Sequence, residues 1–305
     1  MVIEYGTNWP RILRQIGRFL LFLFCLSIAV TALNYFDHPF KKIAVPDLIV
    51  SVLGAALGIL LGFRTNSAYA RWWEARQLWG ALVNSSRSIA RQALAFTRDL
   101  PDEQQAAGDQ FAHHLIYAQL AFVHALRCHL RKQSPWEDIA PFLPDEFVTK
   151  LRGEQNIPAA ILQHMGEYAA NGANMGLLTE WRLTRLDSTF TDLANVQGAC
   201  ERIKNTPLPR QYDHYPELFA QAYCVLLPFV LVDETKLFTP LVTLSIGFVF
   251  LVLNRIGKNL EDPFENKVYD TPMTALSRTI EINLRQTLGE TQLPPPVQPE
   301  KGVLW

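Results

Sequence analysis

The stretch Gly54-Ala-Ala-Leu-Gly-Ile-Leu-Leu-Gly-Phe-Arg-Thr-Asn-Ser-Ala-Tyr-Ala-Arg-Trp-Trp-Glu-Ala-Arg76 decides how this chain folds. An uncharged run from Leu48 to Phe63 passes without a break into Arg64, Arg71, Trp72, Trp73 and Arg76. Gly54, Gly58 and Gly62 recur every fourth residue, so on a helix they share one smooth ridge suited to close helix packing. Ala55, Ile59 and Phe63 form the adjacent ridge, about 100° away on a 3.6-residue helix. A membrane helix with one bare face and one apolar face beside it is a candidate pore-lining helix. One copy cannot surround a hole, so a pore requires several chains about a symmetry axis.

Three further uncharged runs fit the same reading: Phe19–Phe36, Leu218–Val232 and Leu237–Asn254. At 1.5 Å per residue the four runs are about 22–27 Å long, slightly under a hydrocarbon thickness of about 30 Å. Their flanks carry the argument. Arg11, Arg14 and Arg18 precede the first run, and Arg64, Arg71 and Arg76 follow the second. Arg202, Lys204 and Arg210 precede the third, and Arg255 and Lys258 follow the fourth. Four crossings put all four cationic flanks on one side, as the positive-inside rule requires. The other side receives Asp37–Asp47, where Lys41 and Lys42 are outnumbered, and Asp233–Lys236. Both termini and Glu103–Lys204 are then expected in the cytoplasm. A signal peptide cleaved after Val30-Thr-Ala32 fits less well, because 18 residues precede its apolar run and cleavage would spoil the charge agreement.

Composition agrees with a mixed protein. The 305 residues are 49% hydrophobic and 19% charged, with a formal net charge of -1. That is too apolar for an ordinary soluble domain, while a mean hydropathy of +0.05 is too polar for a chain that is all membrane. No basic excess points to nucleic acid. Cys25, Cys128, Cys200 and Cys224 form no CxxC pair, so packed, reduced thiols are expected.

The expected architecture is all-α, a four-span helical membrane protein with a large helical cytoplasmic domain. Its parts are 1–64 (N-terminal segment and first two spans), 65–215 (helical cytoplasmic domain), 216–255 (last two spans), 256–288 (cytoplasmic segment) and 289–305 (mobile tail). The second span should continue as one long helix to about Arg98, since no proline intervenes before Pro101. A helix over Glu103–Arg131 places Phe111, Leu115, Ala118, Phe122, Ala125 and His129 on one stripe. Ser134–Pro144 reads as a loop, Asp145–Arg152 and Pro158–Ala170 as short helices, and Gly172–Asn174 as a turn. A helix from about Met175 to Lys204 follows, with a weak point at Asp187-Ser188. Pro228 should bend the third span. Pro272 to Leu288 reads as a helix, and Gln292–Trp305, with four prolines, as a mobile tail.

No stretch matches a P-loop, a dinucleotide fingerprint, HExxH or GxSxG, which argues against an enzyme. His124 and Cys128 lie four apart on a helix, with His113, His114 and His129 nearby; this suits a metal or ordinary packing. Trp72, Trp73 and Trp79 with their arginines suit an interfacial belt, and equally the inner mouth of a pore. A membrane-anchored scaffold and a metal-dependent membrane enzyme remain as alternatives.

Three segments narrow the field: Gly62–Arg76, Gly198-Ala-Cys-Glu-Arg-Ile-Lys-Asn-Thr-Pro-Leu-Pro209 and Glu261-Asp-Pro-Phe264. Together with the span layout, over roughly residues 1–288, they resemble the bestrophin family in its bacterial branch. The resemblance implies a homopentameric, passive ion channel in the lipid bilayer, with small inorganic ions and further copies of itself as partners and no cofactor. It implies a hydrophobic neck at Ala55, Ile59 and Phe63, tightest at the last two because Ala55 is small. It implies a second, cytoplasmic aperture within Thr184–Phe190, at Thr189 or Leu186. Gly54, Gly58 and Gly62 would pack helices, and Arg64, Arg71, Trp72, Trp73 and Arg76 would anchor the inner mouth. Animal members bind Ca²⁺ in an acid-rich loop after the fourth span; here Glu265-Asn-Lys-Val replaces the run of aspartates, leaving too few oxygen ligands. Animal members resemble chloride channels and a bacterial member is cation-selective, so the lean is slightly towards monovalent cations over chloride.

Overall fold

A computed structural model describes residues 1–2, 9–36 and 47–305. The connection with Pro39, Lys41, Lys42 and Pro46 lies outside these residues. The described residues form ten α-helices in order: α1 (Trp9–Tyr35), α2 (Asp47–Thr97), α3 (Asp102–Arg131), α4 (Trp136–Ile139), α5 (Asp145–Leu151), α6 (Ile157–Asn174), α7 (Glu180–Asn205), α8 (Arg210–Thr235), α9 (Thr239–Leu260) and α10 (Met273–Thr287). Among the described residues there is no strand, only the isolated bridges Val2–Val303 and Glu300–Val303.

The chain divides into two units, one of Tyr5–Trp72 and Pro207–Asp262, the other of Met1–Glu4, Trp73–Thr206 and Pro263–Trp305. Among the described residues three stretches are long and apolar enough to cross a membrane: Pro10–Tyr35, Val50–Thr97, of which 50–72 lies in the first unit, and Gln211–Leu260. The last holds α8 and α9, joined by a 3-10 turn over Lys236–Phe238. Ile16, Leu23, Cys224 and Leu251 pack together, as do Leu57, Leu61 and Ala220. Leu21, Phe22, Val52, Leu241 and Val249 are exposed on the single chain. So much apolar surface on one set of helices calls for lipid or another protein to cover it. Asn34 donates to Asp233 at 2.9 Å, joining the C-terminal ends of α1 and α8. Arg255 donates to Gln15 at 3.0 Å, joining the C-terminal part of α9 to the N-terminal part of α1.

In the second unit, α3 is the central helix. Asp102 and Glu103 sit in its first turn, favourable against the helix dipole. It closes at Lys132, whose left-handed backbone lets Gln133 N–H reach the Cys128 carbonyl at 2.8 Å. Between these ends Phe111, Leu115, Ile116, Phe122 and Leu126 are buried in one apolar core with Trp79, Leu82, Ile161, Met165, Leu193 and Ile280. Phe122→Ala there should cost about 3–5 kcal/mol. Asn156 caps α6 by accepting from Ala159 N–H at 3.2 Å, and Thr179 caps α7 by accepting from Arg182 N–H at 3.3 Å.

Several expectations need correction. Within Ser134–Pro144, Trp136–Ile139 forms α4 and Ala140–Phe142 a 3-10 turn. Gly172–Asn174 is not a turn but the last part of α6; a Cβ on Gly172 would lie 2.5 Å from the Phe111 ring, so this glycine serves packing. The turn comes at Gly176, with φ +77°. Helix α7 starts later, at Glu180, and runs unbroken through Asp187-Ser188. The expected mobile tail is tied at its far end: Ala275 N–H donates to the Trp305 carbonyl at 2.6 Å, and Val303 is buried.

Candidate pore-lining helix

Helix α2 sorts its residues onto two faces. Leu57, Leu61, Arg64 and Ala68 are buried, at spacings of four, three and four that return to one side of a helix. Ala55, Ile59 and Phe63 are exposed, Ile59 by 61% and Phe63 by 64%. The ridge proposed for the neck therefore meets nothing that hides it within its own unit. Two large apolar side chains at i and i+4, left open on a helix whose other side is packed, would form stacked apolar rings if copies faced one another.

The glycine ridge divides. A Cβ on Gly54 would stand 2.5 Å from the Tyr223 hydroxyl, so Gly54 permits α2 to approach α8. Gly58 and Gly62 would meet nothing within 4 Å. Of the three, Gly54 packs within the chain, and the other two leave a smooth strip next to the exposed ridge.

Arg64 is corrected most. Expected as an anchor at the water interface, it is 1% exposed. Its guanidinium pairs with Asp213 in the first turn of α8, donates to the Asn254 side chain of α9, and lies 3.7 Å from Glu261 just past α9. Burial, with Asp213 and Asp262 nearby, raises the Glu261 carboxyl above the usual carboxylate range, while Arg64 and Arg71 pull it down. Trp72 is half-buried and stacks on Tyr69 at 6.2 Å, Trp73 is exposed, and Arg71 and Arg76 are half-buried. Trp79 belongs to no interfacial belt: it is fully buried in the core around α3. Sequence reasoning missed Asp213, Asn254 and Glu261 as partners; the one signal was an arginine set in the same register as Leu57 and Leu61.

The expected cytoplasmic aperture is also corrected. Leu186 is 0% exposed and Thr189 6%, both within the second unit's interior, and the Thr189 hydroxyl donates to Gln92 Oε1 at 3.0 Å. Side chains held inward cannot line an opening. On the same helix Thr184, Asp187, Ser188 and Thr191 are exposed.

His124 and Cys128 turn to different partners. His124 Nε2 is 3.6 Å from Glu281, and Cys128 Sγ is 3.4 Å from Asp138. Among the described residues no three His, Cys, Asp or Glu groups converge as a metal site. His114 and His164 bring their Nε2 atoms within 3.2 Å, and burial holds both imidazoles below their ordinary range. After α9, Glu265 pairs with Lys204 at 2.5 Å, and Asp270 accepts from Lys267 N–H at 2.9 Å.

A family profile described as Bacterial/Fungal Bestrophin protein matches residues 8–286. The chain belongs to the bacterial bestrophin family. Its relatives include a voltage-dependent anion channel-forming protein of Ralstonia nicotianae, 34% identical over 96% of this chain and 96% of that one. YneE of Escherichia coli (strain K12), also named a voltage-dependent anion channel-forming protein, is 35% identical over 99% and 98%. The crystal structure of a bacterial bestrophin homologue from Klebsiella pneumoniae superposes with a TM-score of 0.84 at 31% identity, covering 91% of this chain and all of that one. The all-helical bestrophin fold is thereby established for this chain.

Proposed function

We propose that this bacterial bestrophin is a passive channel for small monovalent ions, formed by five copies around a central pore. The observation that carries the reading is the exposed pair Ile59 and Phe63 on a helix packed along its other face. With one α2 from each copy, Phe63 and Ile59 form consecutive apolar rings that water and ions enter reluctantly. Gly58 and Gly62, open beside them, let neighbouring backbones come close. No covalent chemistry is required of any residue.

The bonds Asn34–Asp233 and Arg255–Gln15 support a layout in which α1 and α8 cross the bilayer in one direction and α9 in the other. Four spans then put Arg64, Arg210, Arg255 and the arginines before α1 on the cytoplasmic face of the inner membrane, with both termini. Cysteines introduced at Asp233 and at Gln155 should label from opposite sides; labelling from one side contradicts this layout.

An apolar neck carries no charge filter, so the sign of the ion is set at the mouths. The relatives' names favour anions over the slight lean towards cations that the family resemblance implied. Purified protein in a planar bilayer under a KCl gradient decides the matter. A reversal potential at the chloride equilibrium potential supports anion conduction, one at the potassium potential supports cations, and absence of current contradicts a channel.

A further inference from the structure

The cluster around Arg64 has no part in an apolar neck as such, yet it sits one residue from Phe63. Buried ion pairs contribute little stability compared with apolar residues of like volume, because both charges lose their water. A fully buried charged side chain at the end of a span is a candidate for a functional role rather than a stabilising one. The three groups that hold Arg64 come from different places along the chain: Asp213 begins α8, Asn254 lies in α9, and Glu261 follows α9. A second observation lies at the same level. A Cβ on Gly257 of α9 would stand 3.4 Å from Thr65 Oγ1 and 3.6 Å from Thr65 Cα, so α2 and α9 approach closely beside the cluster.

We propose that Arg64 is a positioning residue of the pore, whose bonds to Asp213, Asn254 and Glu261 fix the rotation of α2 and so hold Phe63 and Ile59 in the constricting orientation. This rests on the channel reading given above. Successive residues on a helix are about 100° apart, so the directions of Phe63 and Arg64 are locked to each other. Turning α2 about its axis to carry Phe63 out of the pore drags the guanidinium away from its partners. The cluster is then a latch: intact, it keeps the neck narrow; loosened, it lets α2 turn and the channel open more often. Asp213 is the close partner and Glu261, at 3.7 Å, the looser one.

Single-channel recording in planar bilayers tests this with wild type, Arg64→Gln, Arg64→Lys, Asp213→Asn and the double variant Arg64→Gln/Asp213→Asn. Arg64→Gln should raise open probability about tenfold, within the usual range of coupling energies, at unchanged unitary current. Asp213→Asn should raise it less, and the double variant no further than Arg64→Gln alone, because both changes remove the same bond. Arg64→Lys, which keeps the charge, should return most of the way to wild type. Should Arg64→Gln fail to assemble, Asp213→Asn alone carries the test, since it leaves Arg64 bonded to Asn254. Variants that melt earlier yet open as often as wild type would overturn the latch and leave a merely structural pair. A silent wild type would overturn the channel reading, and the latch with it.

Discussion

Phe63 and Arg64 are consecutive in α2 and point to opposite environments: the phenyl ring is open, while the guanidinium is enclosed and bonded to Asp213. The change from an exposed ridge to a packed face thus takes a single residue. That arrangement separates two kinds of mutation. Changes at Phe63 or Ile59 fall on side chains more than half exposed in the single chain, whereas changes at Arg64 strand Asp213 and Glu261.

The glycine ridge offers a paired test of packing within and between copies. Gly54→Leu drives a side chain into the Tyr223 ring and should destabilise the protomer by about 1–3 kcal/mol, the usual range for overpacking. At Gly58 an added Cβ has nothing of its own chain within 4 Å, so with Gly58→Leu the protomer's melting should hardly move while the oligomer dissociates. Thermal unfolding together with size-exclusion chromatography in detergent reads both. A Gly58→Leu protein that stays fully assembled contradicts the role given to this strip.

The His114–His164 pair predicts a pH dependence. Burial lowers both imidazoles, and His164 and His113 lower His114 further. The folded state therefore binds fewer protons than the unfolded one, so stability is complete above the ordinary imidazole value of about 6.5 and falls as pH drops below it. Melting temperature measured between pH 7.5 and 5.5 should fall for wild type and fall less for His114→Gln/His164→Gln. Equal slopes would mean the pair is not strained by charge.

Cys200 should be inert. It is buried in α7, and burial with Glu201 and Glu74 nearby pushes its thiol up to about 12, so almost no thiolate exists at neutral pH. N-ethylmaleimide at pH 7.5 should leave Cys200 unlabelled in folded protein and label it after denaturation, as read by peptide mass spectrometry. Labelling of Cys200 in the native oligomer contradicts this packing.

Much of this fold is legible along the chain because its signals are local. The bounds of α2, Asp47–Thr97, follow from an apolar run, an alanine-rich continuation and the absence of proline before Pro101. That Ile59 and Phe63 share a ridge follows from their spacing, while their place in a neck comes from the family resemblance. What escaped depends on distant partners. Asp213 and Asn254 stand 149 and 190 residues from Arg64, and no local pattern records such a meeting. Leu186 and Thr189 were carried over through a loose match, and α7 is charged on so many sides that its inward face cannot be read from spacing. Gly172 looks like a turn residue but is small because Phe111 lies against it. The proline-rich end lacks periodicity, yet one buried side chain, Val303, and a few backbone bonds are enough to fix it.

The central claim is that Ile59 and Phe63 are the membrane-level neck of an ion-conducting pore. Planar-bilayer recording of purified wild type beside Ile59→Ala/Phe63→Ala, with melting temperatures taken on the same preparations, tests it most directly. Removing exposed ring volume without adding charge should give larger currents or longer openings, with the oligomer and its melting temperature nearly unchanged. Truncating packed core residues would instead cost about 2–5 kcal/mol. A double variant that conducts no more than wild type and melts markedly earlier would contradict the account.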